Sequence, residues 1–277
     1  MMEYGHGGDI YRNRNVELDF SVNVNPLGMP NFVWEAAQRS IAFCTGYPDS
    51  SCENLRGRLS EVTGVPEDQM IFGNGAAELI FRLVQEIRPK KAVIPAPSFA
   101  EYETALRSCG TEIAFFYLKE AESFFLNISE FLDFLRAEQP EIIFLCTPAN
   151  PTGAMIRQAD LSKILDYCKK HGILLVLDEC FVEFLDEERS CGCIREFLDW
   201  ETGRPEHGGN LFLLRAFTKT YAMAGLRLGY GFCTSRELLD RLETNWQPWS
   251  VSILAQEAGY AALSEERIPF LKKMRET

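Results

Sequence analysis

The chain has 277 residues, 46% of them hydrophobic, and carries 40 acidic against 28 basic side chains, for a formal charge of −12 and a pI near 4.9. That balance excludes a nucleic-acid or anionic-membrane surface, because both require clustered Lys and Arg. No apolar run approaches the ~20 residues of a membrane span, and the first residues, with Glu3 and Asp9, lack the apolar core of a signal peptide; an ordered, cytoplasmic protein of one large domain or two ordinary ones is expected.

In chain order, an irregular arm covers residues 1–30, and two helices follow, starting at Asn31 and Ser51. From residue 70 onward short apolar runs alternate with amphipathic segments, the pattern of a mainly parallel sheet covered by helices. Strands are predicted at 70–72, 91–95, 112–118, 141–147, 173–177, 210–217 and 228–233, and helices at 76–87, 99–108, 129–138 and 159–171. Helical sequence resumes at Ser235. "EERIPFLKKMRET" ends inside a helical pattern without a cap or turn signal, so the chain is expected to lack a C-terminal portion. The implied division is an arm (1–30), a large domain (31–234) and the start of a small C-terminal domain (235–277).

Of the nine cysteines, Cys44, Cys109, Cys146, Cys168 and Cys233 sit in apolar or helical patterns, where a reduced thiol acts as a small hydrophobe. Cys191-Gly-Cys193, with Cys180 upstream, is spaced too tightly for a usual zinc knuckle, and the only imidazole partners are His6, His171 and His207. No metal site is expected.

In open α/β sheets ligands sit beyond the carboxyl ends of the strands. After the first predicted strand comes Gly73-Asn74-Gly75-Ala76-Ala77-Glu78, which reads either as a plain turn or as a helix start with bare amides for a phosphate. Phe99 follows the second and reads as a core ring or as an aromatic face at the sheet edge. "TPANPTG" (147–153) closes the fourth, a turn in which Asn150 adds an amide donor. "ILLVLDE" ends in Asp178, which needs a cation or donor if it is poorly solvated. "FTKTYAMAGLRLGY" (217–230) carries Lys219 and Arg227 into an apolar setting, where long basic chains need an acceptor. One ligand uses all of these groups: pyridoxal 5'-phosphate, with its ring on Phe99, its ring nitrogen on Asp178, its phenolic oxygen near Asn150, its phosphate at Ala76, Ala77 and Arg227, and its carbonyl carbon on Lys219.

"NPTG", "LDE" and "FTKTYAMAGLRLGY", in that order, resemble the fold-type I pyridoxal-phosphate enzymes of the histidinol-phosphate aminotransferase group, over residues 5 to about 260. Within the group, "HGGDIY", "LDFSVNVNPLGMP" and "GYPDSSCENLR" look most like the branch that decarboxylates L-threonine O-3-phosphate in cobalamin biosynthesis. The resemblance implies an α/β fold of that type, with a small C-terminal domain that is incomplete here. It implies a Schiff-base role for Lys219, a ring-nitrogen contact for Asp178, a 3'-oxygen contact for Asn150 and ring stacking for Phe99. Phosphate contacts fall to Ala76, Ala77, Thr218 and Arg227. Tyr47 matches a tyrosine that reaches the neighbouring subunit's phosphate, which implies a homodimer. Phe181 stands where the aminotransferases usually have a tyrosine, a departure that favours decarboxylation. In that reading the arm grips the substrate phosphate, through His6, Gly7, Gly8, Arg12 and Arg14, with Asn23 or Asn25 nearby. The competing expectations are a histidinol-phosphate-type aminotransferase and a truncated pyridoxal-phosphate-binding protein without turnover.

Overall fold

A computed structural model describes residues 7–9, 15, 17–186 and 209–277. All seven predicted strands form: β1 (Met70–Gly73), β2 (Lys91–Ala96), β3 (Glu112–Tyr117), β4 (Ile142–Cys146), β5 (Leu174–Asp178), β6 (Leu211–Ala216) and β7 (Gly229–Cys233). The helices are α1 (Asn31–Ser40), α2 (Glu53–Thr63), α3 (Gly75–Ile87), α4 (Ala100–Ser108), α5 (Ile128–Glu138), α6 (Gln158–His171), the one-turn α7 (Phe217–Thr220), α8 (Arg236–Thr244), α9 (Ile253–Ala262) and α10 (Arg267–Glu276). None of these is long and apolar enough to cross a membrane.

The strands make one sheet in the order β1-β7-β6-β5-β4-β2-β3. β2 pairs in parallel with β3 and β4, and β4-β5 and β5-β6 are parallel too; β7 is antiparallel to both β1 and β6. The antiparallel β7 follows from its connection, since residues 217–228 hold only the single turn of α7, and a parallel return needs a longer crossover, usually a full helix.

The central strands are buried on both faces, so their sequences run continuously apolar, as in "IIFLC" and "LLVLD". Alternate residues still serve opposite faces. Ile143, Leu145, Leu175 and Leu177 join one core with α1, α2, α5, α6 and α9, while Ile142, Phe144, Leu174 and Val176 join a second with α3, α4 and α8. Asp178, the next residue after Leu177, falls to the α3–α4 side by this alternation. Burying some 50 apolar side chains at ~1.5–3 kcal/mol each on both sides of one sheet makes the strand ends a rigid platform. The arm is tied to that platform at Asn25, which is 3% exposed.

Candidate active site

The carboxyl ends of β2, β4, β5 and β6 and the start of α3 surround a cleft of ≈ 100 Å³, and Ala76, Ala77, Phe99, Asn150, Asp178, Thr218, Lys219 and Arg227 all line it. Cys146, Cys180, Phe181 and Ala216 complete the wall. Eight residues picked from five separate stretches of sequence thus meet in one place.

One end of the cleft is built for an anion. α3 starts at Gly75 with the backbone amides of its first turn free of helical partners, and 13 residues of aligned dipole add partial positive charge there. Gly75 has φ +79°, and a Cβ at this position would lie 2.9 Å from Arg227 Cζ and closer still to Nη2. The guanidinium therefore rests directly on the Gly75 backbone. A Cβ at Gly229 would in turn lie 2.6 Å from the Gly75 carbonyl carbon. These two glycines let β7 press Arg227 against the helix start; sequence reasoning missed both roles, because the close approach joins segments about 150 positions apart. Thr218 is 6% exposed beside this end.

Asp178, 5% exposed, also lines the cleft. Its Oδ2 accepts a 2.6 Å hydrogen bond from the Tyr102 hydroxyl, and its Oδ1 accepts the Cys180 backbone N–H at 2.9 Å. Tyr102 is fully buried. Its ring stacks on Phe144 at 4.9 Å and meets Phe99 edge-on at 5.5 Å, so one side chain braces both the acid and the aromatic face. Burial, then the neighbouring Asp178 charge, pushes the Tyr102 hydroxyl well above its ordinary pKa, which keeps it a donor. Tyr102 was not singled out from sequence; the available signal was a phenol on the apolar face of α4, where a buried hydroxyl has to find an acceptor. The adjacent Glu179 turns the other way and pairs with Arg215 at 2.6 Å, both groups buried. Burial works against the Arg215 charge, but Glu179 outweighs it and drives the pKa up.

Lys219, on the same cleft, is half-buried. Burial holds its pKa below the ordinary lysine value, and the Arg227 charge adds to that; Cys180 and Asp178 pull the other way. Its Nζ lies 5.9 Å from the centre of the Phe181 ring. The Lys219 carbonyl accepts the Asn25 backbone N–H at 3.0 Å, and the Asn25 side-chain amide donates to the Thr220 carbonyl at 2.8 Å. Asn25 Oδ1 accepts from Leu27 N at 3.0 Å. The Asn25 side chain is thus committed to clamping the lysine turn. Asn23, two residues earlier, is exposed.

Two further sequence candidates stand outside the cleft. Tyr47 is 79% exposed and stacks on Trp249 at 4.4 Å. Gly7 packs on the Ser21 backbone, where a Cβ would come within 2.6 Å of the carbonyl carbon. His6, Arg12, Arg14, Cys191, Cys193 and His207 lie outside the described residues.

Residues 15–277 match the family Aminotransferase class I and II. The chain belongs to that family, a class of pyridoxal-phosphate-dependent enzymes, and pyridoxal 5'-phosphate is the cofactor this class uses. Among individual relatives, the chain is 37% identical to threonine-phosphate decarboxylase of Salmonella typhimurium, over 94% of this chain and 70% of that protein. It is 32% identical to histidinol-phosphate aminotransferase of Bacillus pumilus, over 88% of this chain and 64% of that one. The crystal structure of L-threonine-O-3-phosphate decarboxylase from Porphyromonas gingivalis superposes with a TM-score of 0.76 at 25% identity, covering 92% of this chain and 71% of that one. The residues present fit the cofactor: a cradle at Gly75 that a Cβ would fill, a carboxylate braced by two donors, and an amine whose protonation burial disfavours.

Proposed function

We propose that this chain decarboxylates L-threonine O-3-phosphate to 1-amino-2-propanol phosphate with pyridoxal 5'-phosphate, the reaction of the cobalamin pathway. The observation that carries the reading is the meeting of Lys219, Asp178 and the Gly75–Arg227 cradle in one cleft. The choice of substrate is supported by the Salmonella threonine-phosphate decarboxylase at 37% identity and by Phe181, which offers the cleft an apolar ring in place of a hydroxyl.

When bound, the cofactor supplies an electron sink for a pair of electrons left on the substrate's Cα. The α3 amides, Thr218 and Arg227 would hold its phosphate, Asn150 its phenolic oxygen, Phe99 one face of its ring, and Asp178 its ring nitrogen. Tyr102 keeps Asp178 pointed into the cleft, and a carboxylate fixed before reaction costs no reorganisation during it. Lys219 would hold the aldehyde carbon covalently, and its amine would be free to handle protons when the substrate amino group takes that place. Because burial lowers its pKa, Lys219 Nζ exchanges a proton nearer neutrality than a solvated lysine does; it would take up a proton from the incoming ammonium group and deliver it to Cα after CO2 has left. Asn25 fixes the turn that carries this amine, while His6 and Gly7 on the same arm would face the substrate phosphate. The exposed Tyr47–Trp249 stack supports a homodimer in which Tyr47 reaches the neighbouring subunit's cofactor phosphate.

A second reading, a histidinol-phosphate-type aminotransferase, draws on the Bacillus pumilus relative at 32% identity. One experiment separates these from a binding protein without turnover. The cofactor-loaded protein is given O-phospho-L-threonine with and without a 2-oxo acid, and CO2 and amine products are measured. Decarboxylation predicts CO2 without any 2-oxo acid. Turnover that requires the 2-oxo acid and releases no CO2 overturns it in favour of amino transfer, and absence of any turnover overturns both.

A further inference from the structure

Three of the groups on the cofactor cleft belong to neighbouring strands. Asp178 ends β5, Lys219 follows β6 within the single turn of α7, and Arg227 leads into β7. The residues beside them form a second set on the opposite face of the sheet, by the alternation of side chains along a strand. The register pairs Asp178 with Leu214, so Glu179 comes level with Arg215, and Arg215 pairs in turn with Tyr230. Glu179, Arg215 and Tyr230 therefore make one lateral row across the three strands, and all three are buried. None of them lines the cleft.

Arg215 donates to Glu179 Oε2 twice, from Nε at 3.1 Å and from Nη2 at 2.6 Å. Burial pushes the Tyr230 hydroxyl above its ordinary pKa and the neighbouring Arg215 charge only partly opposes this, so the phenol stays neutral beside the pair. The row also reaches the lysine turn. Phe217, the first residue of α7, donates its backbone N–H to the Leu228 carbonyl at 3.2 Å, and its ring lies 5.2 Å from the Tyr230 ring. A buried ion pair is a costly way to hold strands together, since apolar side chains of similar volume often give equal stability. What it adds here is a fixed spacing, because two donors converging on one oxygen tolerate little sliding of β5 past β6.

We propose that Glu179, Arg215 and Tyr230 are positioning residues for the cofactor: the row locks β5, β6 and β7 against one another, so that Asp178, Lys219 and Arg227 keep the separations that one molecule of pyridoxal 5'-phosphate requires. The inference rests on the reading that those three groups hold the ring nitrogen, the aldehyde carbon and the phosphate. Each member of the row is close in sequence to the group it places. Glu179 directly follows Asp178, Arg215 precedes Lys219 by one strand end and part of a helical turn, and Tyr230 comes shortly after Arg227. A misplacement of about 1 Å at groups of this kind costs up to about 100-fold, which is why a pair outside the cleft can matter inside it.

The test is a titration of the full chain with pyridoxal 5'-phosphate, followed by visible absorbance, together with the pH dependence of that absorbance in the loaded protein. Glu179→Met/Arg215→Met removes both charges at once, a replacement that often leaves stability unchanged or raised, so its melting temperature is expected to stay near that of wild type. Its Kd for pyridoxal phosphate is expected to rise about tenfold. The pH midpoint of the absorbance is expected to move by about half a unit or more, because Lys219 and Asp178 no longer meet the ring in the same places. Arg215→Lys keeps a charge on Glu179 without the two-donor fork and should fall between the double variant and wild type. A pair that only supports the fold would move the melting temperature and neither of the other readings. A wild-type Kd and midpoint in the folded double variant, or in Arg215→Lys if the double variant fails to fold, overturn the proposal. CO2 release from O-phospho-L-threonine is measured on wild type alone: its absence overturns the decarboxylase reading, while the row is still judged by the absorbance titrations.

Discussion

Gly75→Ala tests the cradle directly. The new methyl would lie 2.9 Å from Arg227 Cζ and 3.3 Å from Nη1, closer to Nη2 than van der Waals contact permits. The atoms it meets belong to the end of a flexible side chain, so the guanidinium is displaced and the backbone stays. Two separate costs follow. Holding an L-residue at φ +79° costs about 1–2 kcal/mol of stability. Moving Arg227 off the phosphate position removes one charge-assisted hydrogen bond, worth about 1.5–3 kcal/mol, which is roughly a 10- to 150-fold rise in the Kd for pyridoxal phosphate. The assay is a titration of apoprotein with the cofactor, followed by absorbance and run as a double-mutant cycle with Arg227→Ala. If Gly75 acts through Arg227, Gly75→Ala costs little further affinity in the Arg227→Ala background. A Kd within twofold of wild type, or an equal loss in both backgrounds, refutes the reasoning.

Tyr102→Phe keeps the ring packing and deletes the 2.6 Å bond to Asp178; kcat is expected to fall about tenfold or more with little change in KM, matching ~1.5–3 kcal/mol for a hydrogen bond to a charged group, and a kcat at the wild-type level in steady-state assays counts against Tyr102 as the brace. Lys219→Met should raise the melting temperature of the apoprotein at pH 8. The folded-state pKa of Lys219 lies below its unfolded value, so the buried charge destabilises fully below the folded pKa and not at all above the ordinary value of about 10.4. The advantage of Lys219→Met therefore shrinks as pH rises through that window, and a melting difference that is flat with pH sinks this reasoning. Asn25→Ala removes the clamp on the Thr220 carbonyl and the acceptor for Leu27 N, with an expected loss of about 2 kcal/mol and faster proteolysis at the arm; a protease pattern identical to wild type shows that the clamp is not there in solution.

Much of the site could be read in the sequence because its signals are local. Each strand is a short apolar run, so the residue after the run marks the sheet edge, and Phe99, Asn150, Asp178 and Lys219 were all found this way. Other features depend on pairings between distant segments. Alternation along β5 sends Asp178 to the cleft and Glu179 to Arg215, but that assignment becomes visible only when the partners of each face are known. Asn25 reads as one more polar residue on an arm until its amide is seen on the Thr220 carbonyl. Tyr102 looks like an ordinary core aromatic until its hydroxyl meets Asp178.

The sequence by itself determined the order and type of the elements, the glycine-rich start of α3, and the lysine and the acid that face the cleft, since hydrophobic period and turn chemistry act over a few residues. Only the tertiary structure decided that β7 runs antiparallel and lays Arg227 on Gly75, and that Tyr102 braces Asp178. Those outcomes come from strand pairing and close packing, which bring together groups that no local pattern relates.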